Sequence, residues 1–502
     1  MRFARSSGIL LHPTSLPGPF GSGDLGASAY HFIDWLVLAG QKMWQILPLG
    51  NIGPGNSPYM SNSAFAGNIL LIDLQELAEQ GWLCADDHIL DPGFNPSRVN
   101  YQVVVPFRMG KLRLAATRFF SAQTTPHTEF DEFCQQEKIW LDDYALFMAL
   151  EEKFNGLEWG KWPEALAKGD EAALAQARIL HEVEISFWKF YQWCFFRQWR
   201  KLKHYANSRG VQIIGDMPIF VAYQSADVWS CQSLFELDEA HKPSVIAGVP
   251  PDYFSATGQR WGNPLFRWSA HEEENYHWWI LRVQKSIEMF DIVRIDHFRG
   301  FAEYWEIPAT EQTAINGRWM PGPGEKLFSS LRNALGELPV IAEDLGVITP
   351  DVVALLEEFD LSGMRVLQFA FGGSPDNPYL PHRYINNMVV YIGTHDNDTT
   401  QGWFKSAAEH ERSFTCKYLG TDGNEINWDL IRAASQSVAD LAIYTMQDVL
   451  GLGSDHRMNI PGTAEGNWAW RFSWEQVLPQ HASHLYEITA VHGRCAADHL
   501  RL

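Results

Sequence analysis

Acidic residues at the ends of apolar runs are the first chemistry the sequence offers. The run Asp291-Ile292-Val293-Arg294-Ile295-Asp296 reads as a buried strand, continued by His297-Phe298-Arg299-Gly300-Phe301. Side chains alternate along a strand, so Ile292, Arg294 and Asp296 share one face. An Arg and an Asp on an apolar strand are costly to bury unless paired. Taken alone, Arg294-Ile295-Asp296 reads first as a structural ion pair. The competing reading is a carboxylate held ionised by a guanidinium, ready to act as a nucleophile. Asp216, Glu343 and Asp396 each end another apolar run and begin a loop. Ionised carboxylates are rarely buried without cause, so four acids at four strand ends point to one functional cluster.

Something must hold those ends together. Apolar runs near residues 8, 43, 211, 291, 340, 365, 389 and 442 predict eight strands, most followed by a helical pattern. They are apolar on both faces, as parallel strands covered by helices must be. Count, alternation and length predict an α/β fold, a (β/α)8 TIM barrel in which residues 1–502 form one catalytic domain. Catalytic residues of such barrels project from the carboxyl ends of several strands. A doubly wound sheet is the alternative, but no Gly-x-Gly-x-x-Gly follows the first strand. Residues 76–205 read as a mainly helical insertion. Residues 248–266 read as a long irregular active-site loop. Thr349-Pro350 predicts a helix start with Thr as N-cap.

Bulk properties exclude several partners. Net charge is -21, with 46% hydrophobic and 20% charged residues. An acidic surface disfavours nucleic acid and anionic membranes. The apolar run Ile9-Leu10-Leu11 is too short for a signal segment, and no run reaches a membrane span of about 18 residues. A cytoplasmic protein is expected, with Cys84, Cys134, Cys194, Cys231, Cys416 and Cys495 as reduced thiols. There are 21 Trp, 30 Phe and 16 Tyr. Core packing must account for most of the Trp. Rings read on loops (Tyr59, Tyr253, Trp261, Trp319, Trp403 and Trp468) present flat apolar faces suited to sugars.

An acid cluster invites either a divalent cation or glycoside chemistry. The Arg beside Asp296, the His beside Asp396 and the aromatic loops favour the sugar. No metal and no cofactor are expected. Neither a nucleophile elbow nor a phosphate-binding loop supports other catalytic classes.

Arg294-Ile295-Asp296, Glu343-Asp344 and His395-Asp396 resemble the signature regions of the α-amylase superfamily of retaining glycosidases and transglycosidases. More closely, the chain resembles the amylomaltases, or 4-α-glucanotransferases. The matching runs are residues 10–18 (LLHPTSLPG), 215–221 (GDMPIFV), 250–255 (PPDYFS), 294–301 (RIDHFRGF), 342–346 (AEDLG) and 393–397 (GTHDN). Met-Pro-Ile-Phe after Asp216 departs from general amylases, which carry an Asn-His pair there, and weakens any expectation of calcium. No C-terminal β-sandwich domain is expected. The resemblance implies Asp296 as nucleophile, Glu343 as acid/base and Asp396 as the acid that holds sugar hydroxyls. Arg294, His395 and Asp216 are expected as sugar or carboxylate partners. Tyr59, Ser57, Asp252, Tyr253, Phe254, Gln259, Trp261 and Asn459 are further candidates for substrate binding. His12 and His297 stay open between structural and site roles. The implied substrates are α-1,4-glucans, with another glucan or glucose as acceptor. An α-glucan hydrolase with the same acids is the alternative, and a non-catalytic carbohydrate-binding protein a more distant one. Oligomeric state is left open.

Overall fold

The computed structural model describes residues 3–88, 93–122, 127–251 and 255–495. Its strands, in chain order, are β1 (Ser6–Leu10), β2 (Met43–Gln45), β3 (Gln212–Pro218), β4 (Val245–Val249), β5 (Gln259–Pro264), β6 (Ile292–Asp296), β7 (Glu303–Pro308), β8 (Arg318–Pro321), β9 (Val340–Ala342), β10 (Gly363–Val366), β11 (Met388–Tyr391) and β12 (Leu441–Thr445). Eight of these form one parallel sheet, in the order β10-β11-β12-β1-β2-β3-β6-β9. Its two outer members meet, because the Ala342 N–H donates to the Ser362 carbonyl at 2.8 Å and Ile341 bridges to Ser362. The sheet closes into the expected barrel. Every residue of β11 and β12 is buried, which is why these strands show no polar alternation. The β3–β6 register sets Asp216 beside Arg294 and Pro218 beside Asp296.

Between β2 and β3 the chain passes through helices Tyr101–Ser121, Thr128–Gln136, Lys138–Lys153, Glu171–Leu180 and Glu182–Ser208. The last carries Trp188, Tyr191, Phe195, Trp199, Leu202 and Ala206 buried at helical spacing. Trp188 meets Tyr144 of helix Lys138–Lys153 at 6.1 Å, and the Trp199 indole N–H donates to the Met289 carbonyl at 3.0 Å, tying the helix to the barrel. Trp44, Trp159, Trp199, Trp279 and Trp470 are fully buried, as core packing requires. Among the described residues, no helix is long and apolar enough to cross a membrane.

The second sheet, β5-β4-β7-β8, is antiparallel. It corrects the reading of residues 248–266 as an irregular loop, since Gly248 pairs with Arg260 and Val249 with Gln259. The sequence hides this strand because β5 reads Gln-Arg-Trp-Gly-Asn-Pro. Gly262 sits at φ +84°, Pro264 ends the strand, and the register shifts between Ile246 and Gly248, so alternation is lost. Trp261 and Trp319 therefore lie on strands, and Trp403 lies on helix Thr400–Ser406, rather than on loops. Thr349 is the N-cap of helix Pro350–Glu358, but its side chain makes no capping bond.

The far end of the barrel is fastened by Arg494, whose side chain is completely buried. Its guanidinium donates to the carbonyls of Ser6, Ala434, Ser435, Ser437, Ala439 and Asp440 at 2.8–3.3 Å. Among the described residues, carbonyl dipoles rather than a carboxylate satisfy the charge, and burial lowers its pKa to about 10. Arg494→Ala removes six buried hydrogen bonds, with Arg5 left as a second donor to Ser435, Ser437 and Ala439. It should cost about 2–5 kcal/mol and lower the calorimetric Tm by several degrees.

Candidate active site

Arg294 rises from the middle of β6 into the end of the barrel. Its Nη1 lies 2.7 Å from both Oδ1 and Oδ2 of Asp216 and 3.1 Å from Oδ1 of Asp296. The Arg294 side chain is 5% exposed and that of Asp216 0%, so this pair is sealed from water. Burial opposes the guanidinium charge, but Asp216 and Asp296 together hold its pKa well above the usual value. The closest acidic partner of Arg294 is thus Asp216, on the neighbouring strand, and Asp296 takes the longer contact.

An ionised carboxylate only accepts hydrogen bonds. The Tyr59 hydroxyl donates to Asp216 Oδ2 at 2.8 Å. Burial, reinforced by Asp216, raises the Tyr59 pKa well above its ordinary value, so the phenol keeps its proton. That single proton is committed to Asp216. His395 Nε2, 2.9 Å from the Tyr59 oxygen, must therefore carry a hydrogen and donate. A relay runs from His395 to Tyr59 to Asp216 and so to Arg294. The Tyr59 and His395 rings stack at 5.3 Å, and Trp468 completes the group at 5.6 and 5.9 Å. Ser57 supports Tyr59 from behind, its Oγ accepting the Tyr59 N–H at 3.2 Å.

Glu343 follows β9 and is gripped by the segment after β6. Its Oε2 accepts the His297 N–H at 2.6 Å. Its own N–H donates to the Ile295 carbonyl at 3.0 Å. His297 has φ +55°, a left-handed turn that directs its N–H at Glu343 instead of along the sheet. Trp261 packs edge-on against the His297 ring at 4.8 Å and donates its indole N–H to Gln259 Oε1 at 3.1 Å. Burial and the Arg299 charge push His297 down to about 3, so its ring is neutral. Beside Glu343, Asp344 accepts the Met364 N–H at 2.6 Å and Arg365 Nη1 at 2.8 Å. Gly363 makes room for it, because a Cβ there would lie 2.7 Å from Asp344 Oδ2.

The two carboxyls that flank β6 and β9 titrate apart. Burial pushes Glu343 up to about 8, with the Asp296 charge adding to it. Burial also pushes Asp296 up, to about 6, with Arg294 restraining it. Arg294, shared with Asp216, restrains the upward push of burial on Asp296 without cancelling it. Asp296 still loses its proton before Glu343 does.

Asp396, after β11, is 48% exposed. Its Oδ1 accepts Asn459 Nδ2 at 2.6 Å and lies 3.4 Å from His395 Nε2. Arg457 donates to the Asp396 carbonyl at 2.9 Å. Sequence reasoning missed Arg457, an isolated basic residue in a Gly- and Asn-rich stretch. Asp216, Arg294, Asp296, Tyr59, His395, Asp396 and Asn459 form one connected group, and Glu343, Trp261 and Gln259 join through His297. Ser57 reaches it only through Tyr59. Asp252, Tyr253 and Phe254 lie outside the described residues. Among the described residues, no group of three or more His, Cys, Asp or Glu is placed to hold a metal ion.

A model of the 4-alpha-glucanotransferase family matches residues 11–477. The chain belongs to that family. A 4-alpha-glucanotransferase of Thermus thermophilus is 51% identical over 495 residues, covering 97% of this chain and 98% of the relative. One from a Synechocystis strain is 50% identical over 497 residues, covering 98% of each. The solved structure of an amylomaltase from Streptococcus agalactiae in complex with acarbose matches with a TM-score of 0.96 at 40% identity, covering 98% of this chain and 100% of that one. Membership decides for a glycosyl-transferring enzyme over the hydrolase alternative.

Within the family framework, the buried Asp216–Arg294 pair supports the whole group. Asp216→Ala leaves the buried guanidinium with Asp296 alone, at 3.1 Å, and should destabilise the protein by up to about 3–5 kcal/mol. Denaturant titration of the variant checks this, and activity should fall with it.

Proposed function

We propose that the chain transfers α-1,4-glucan segments from a donor to the 4-hydroxyl of another glucan or of glucose by a double displacement. Asp296 is the nucleophile, Glu343 the acid/base, and Asp396 the acid that holds the sugar hydroxyls. One observation carries the assignment: Asp296 touches a guanidinium while, among the described residues, the Glu343 side chain accepts only a backbone N–H. The first ionises early and the second retains its proton.

In the first step an Asp296 oxygen attacks the anomeric carbon. The glycosidic C–O bond breaks, and the departing oxygen takes the Glu343 proton. In the second step Glu343, now a carboxylate, removes the proton of the acceptor hydroxyl. That oxygen attacks the anomeric carbon and Asp296 leaves, restoring both groups and retaining the configuration. Arg294 balances the charge that Asp296 loses and regains. Asn459 and His395 orient Asp396 toward the sugar. Tyr59, Trp261 and Gln259 offer the ring faces and amide that favour an acceptor sugar over water.

Incubation with maltotriose should yield glucose and a ladder of longer chains with constant reducing ends, and a steady gain would mean hydrolysis. Asp296→Asn should lower turnover by at least about 10⁴-fold; near-normal turnover would remove the nucleophile assignment. The kcat/KM profile should be bell-shaped. Activity needs ionised Asp296, so it falls as pH drops through about 6. It needs protonated Glu343, so it falls again as pH rises through about 8. Asp344→Asn removes a negative neighbour that raises the Glu343 pKa, and should move the alkaline limb to lower pH.

A further inference from the structure

A small cavity lies beside His395, between the ends of β1 and β12. His12, Ser15, His395, Thr445, Gln447 and Trp470 are among the residues that line it. It gives the centre of a water molecule about 20 Å³ of room, enough for one water where two or more polar partners converge.

His12 lies in the run 10–18, which the proposed chemistry does not use. Its backbone is rigidly placed. The Leu11 N–H donates to the Gln45 carbonyl at 2.9 Å, the Leu11 carbonyl accepts the Trp44 indole N–H at 2.8 Å, and the His12 carbonyl accepts the Ser15 N–H at 2.9 Å. The side chain is 5% exposed, yet its Nδ1 has no hydrogen-bond partner among the described residues. Burial, with His395 adding to it, pushes its pKa down to about 3. The ring is therefore neutral, with one donor and one acceptor nitrogen. On the opposite wall, His395 commits Nε2–H to Tyr59, which leaves Nδ1 as its remaining ring nitrogen. Thr445 spends its hydroxyl proton on Asp448 at 2.8 Å, so toward the cavity it only accepts. A water, with two protons to give and lone pairs to receive, can satisfy the polar part of this lining.

We propose that a single buried water joins the His12 and His395 imidazoles, making His12 a positioning residue that holds His395 in the tautomer donating to Tyr59. Losing that link frees the His395 ring to turn, and with it the contacts to Tyr59 and Asp396. The functional half of this inference rests on the proposed reading of the acid site; the water itself does not.

A crystal structure of the full chain tests the site directly. The expected result is a solvent peak within about 3 Å of a ring nitrogen of both histidines. No peak, or a peak bonded to one ring only, overturns the proposal. Kinetics test the role. His12→Leu should lower kcat about tenfold with KM for maltotriose within about twofold, because substrate contacts stay in place. His12→Gln, which keeps a donor and an acceptor, should recover most of that loss. Wild-type kcat in His12→Leu, or equal losses in both variants, overturns the positioning role. If His12→Leu does not fold, His12→Gln and the solvent peak decide: a missing peak, or a His12→Gln kcat about tenfold down, overturns the proposal. Normal turnover in Asp296→Asn would instead sink the acid assignments and leave the water test standing.

Discussion

A guanidinium buried at the mouth of a barrel sets the terms for everything around it. Arg294 has almost no access to water, so its charge must be met by protein groups. Asp216 meets it from the adjacent strand and Asp296 from its own. Once Asp216 is fixed as an acceptor, the Tyr59 proton has one destination and the His395 ring one orientation. Much of the geometry of the site is the solution to one solvation problem. The catalytic asymmetry follows from it as well: one carboxyl lies within reach of the guanidinium, and the other is held by an amide.

The eight barrel strands and the acids at their ends were legible because a closed parallel sheet leaves a blunt signature. Most residues of each strand are apolar, and after β9 and β11 the first acids mark where the strand opens to the cleft. The resemblance runs in the same stretches fixed the family that the comparisons then showed. The second sheet was not legible. Its strand Gln259–Pro264 is built from a glycine, a proline and polar residues, and is held by pairing to β4, which itself pairs with β7 and so ties together segments that a local window does not span.

The choice of partner for Arg294 was hidden for a related reason. Asp296 is two residues away in sequence, and Asp216 is 78. Proximity along the chain favoured the former, whereas the register of β3 against β6 brings the latter closer. Arg457 was faint for the same cause. It contributes through where the loop after β12 folds back over Asp396, and nothing local in its neighbours announces it.

The antiparallel sheet has an implication for how the cleft can change. Strands β4 and β5 belong to the connection from β3 to β6, while β7 and β8 belong to the connection from β6 to β9. The β4–β7 ladder welds them, and Ile246, Ile307 and Ala314 give the joint its own small core. The two connections are therefore a single structural unit. Removing either one alone would leave a bare sheet edge, so changes to this sheet must be made in matched pairs.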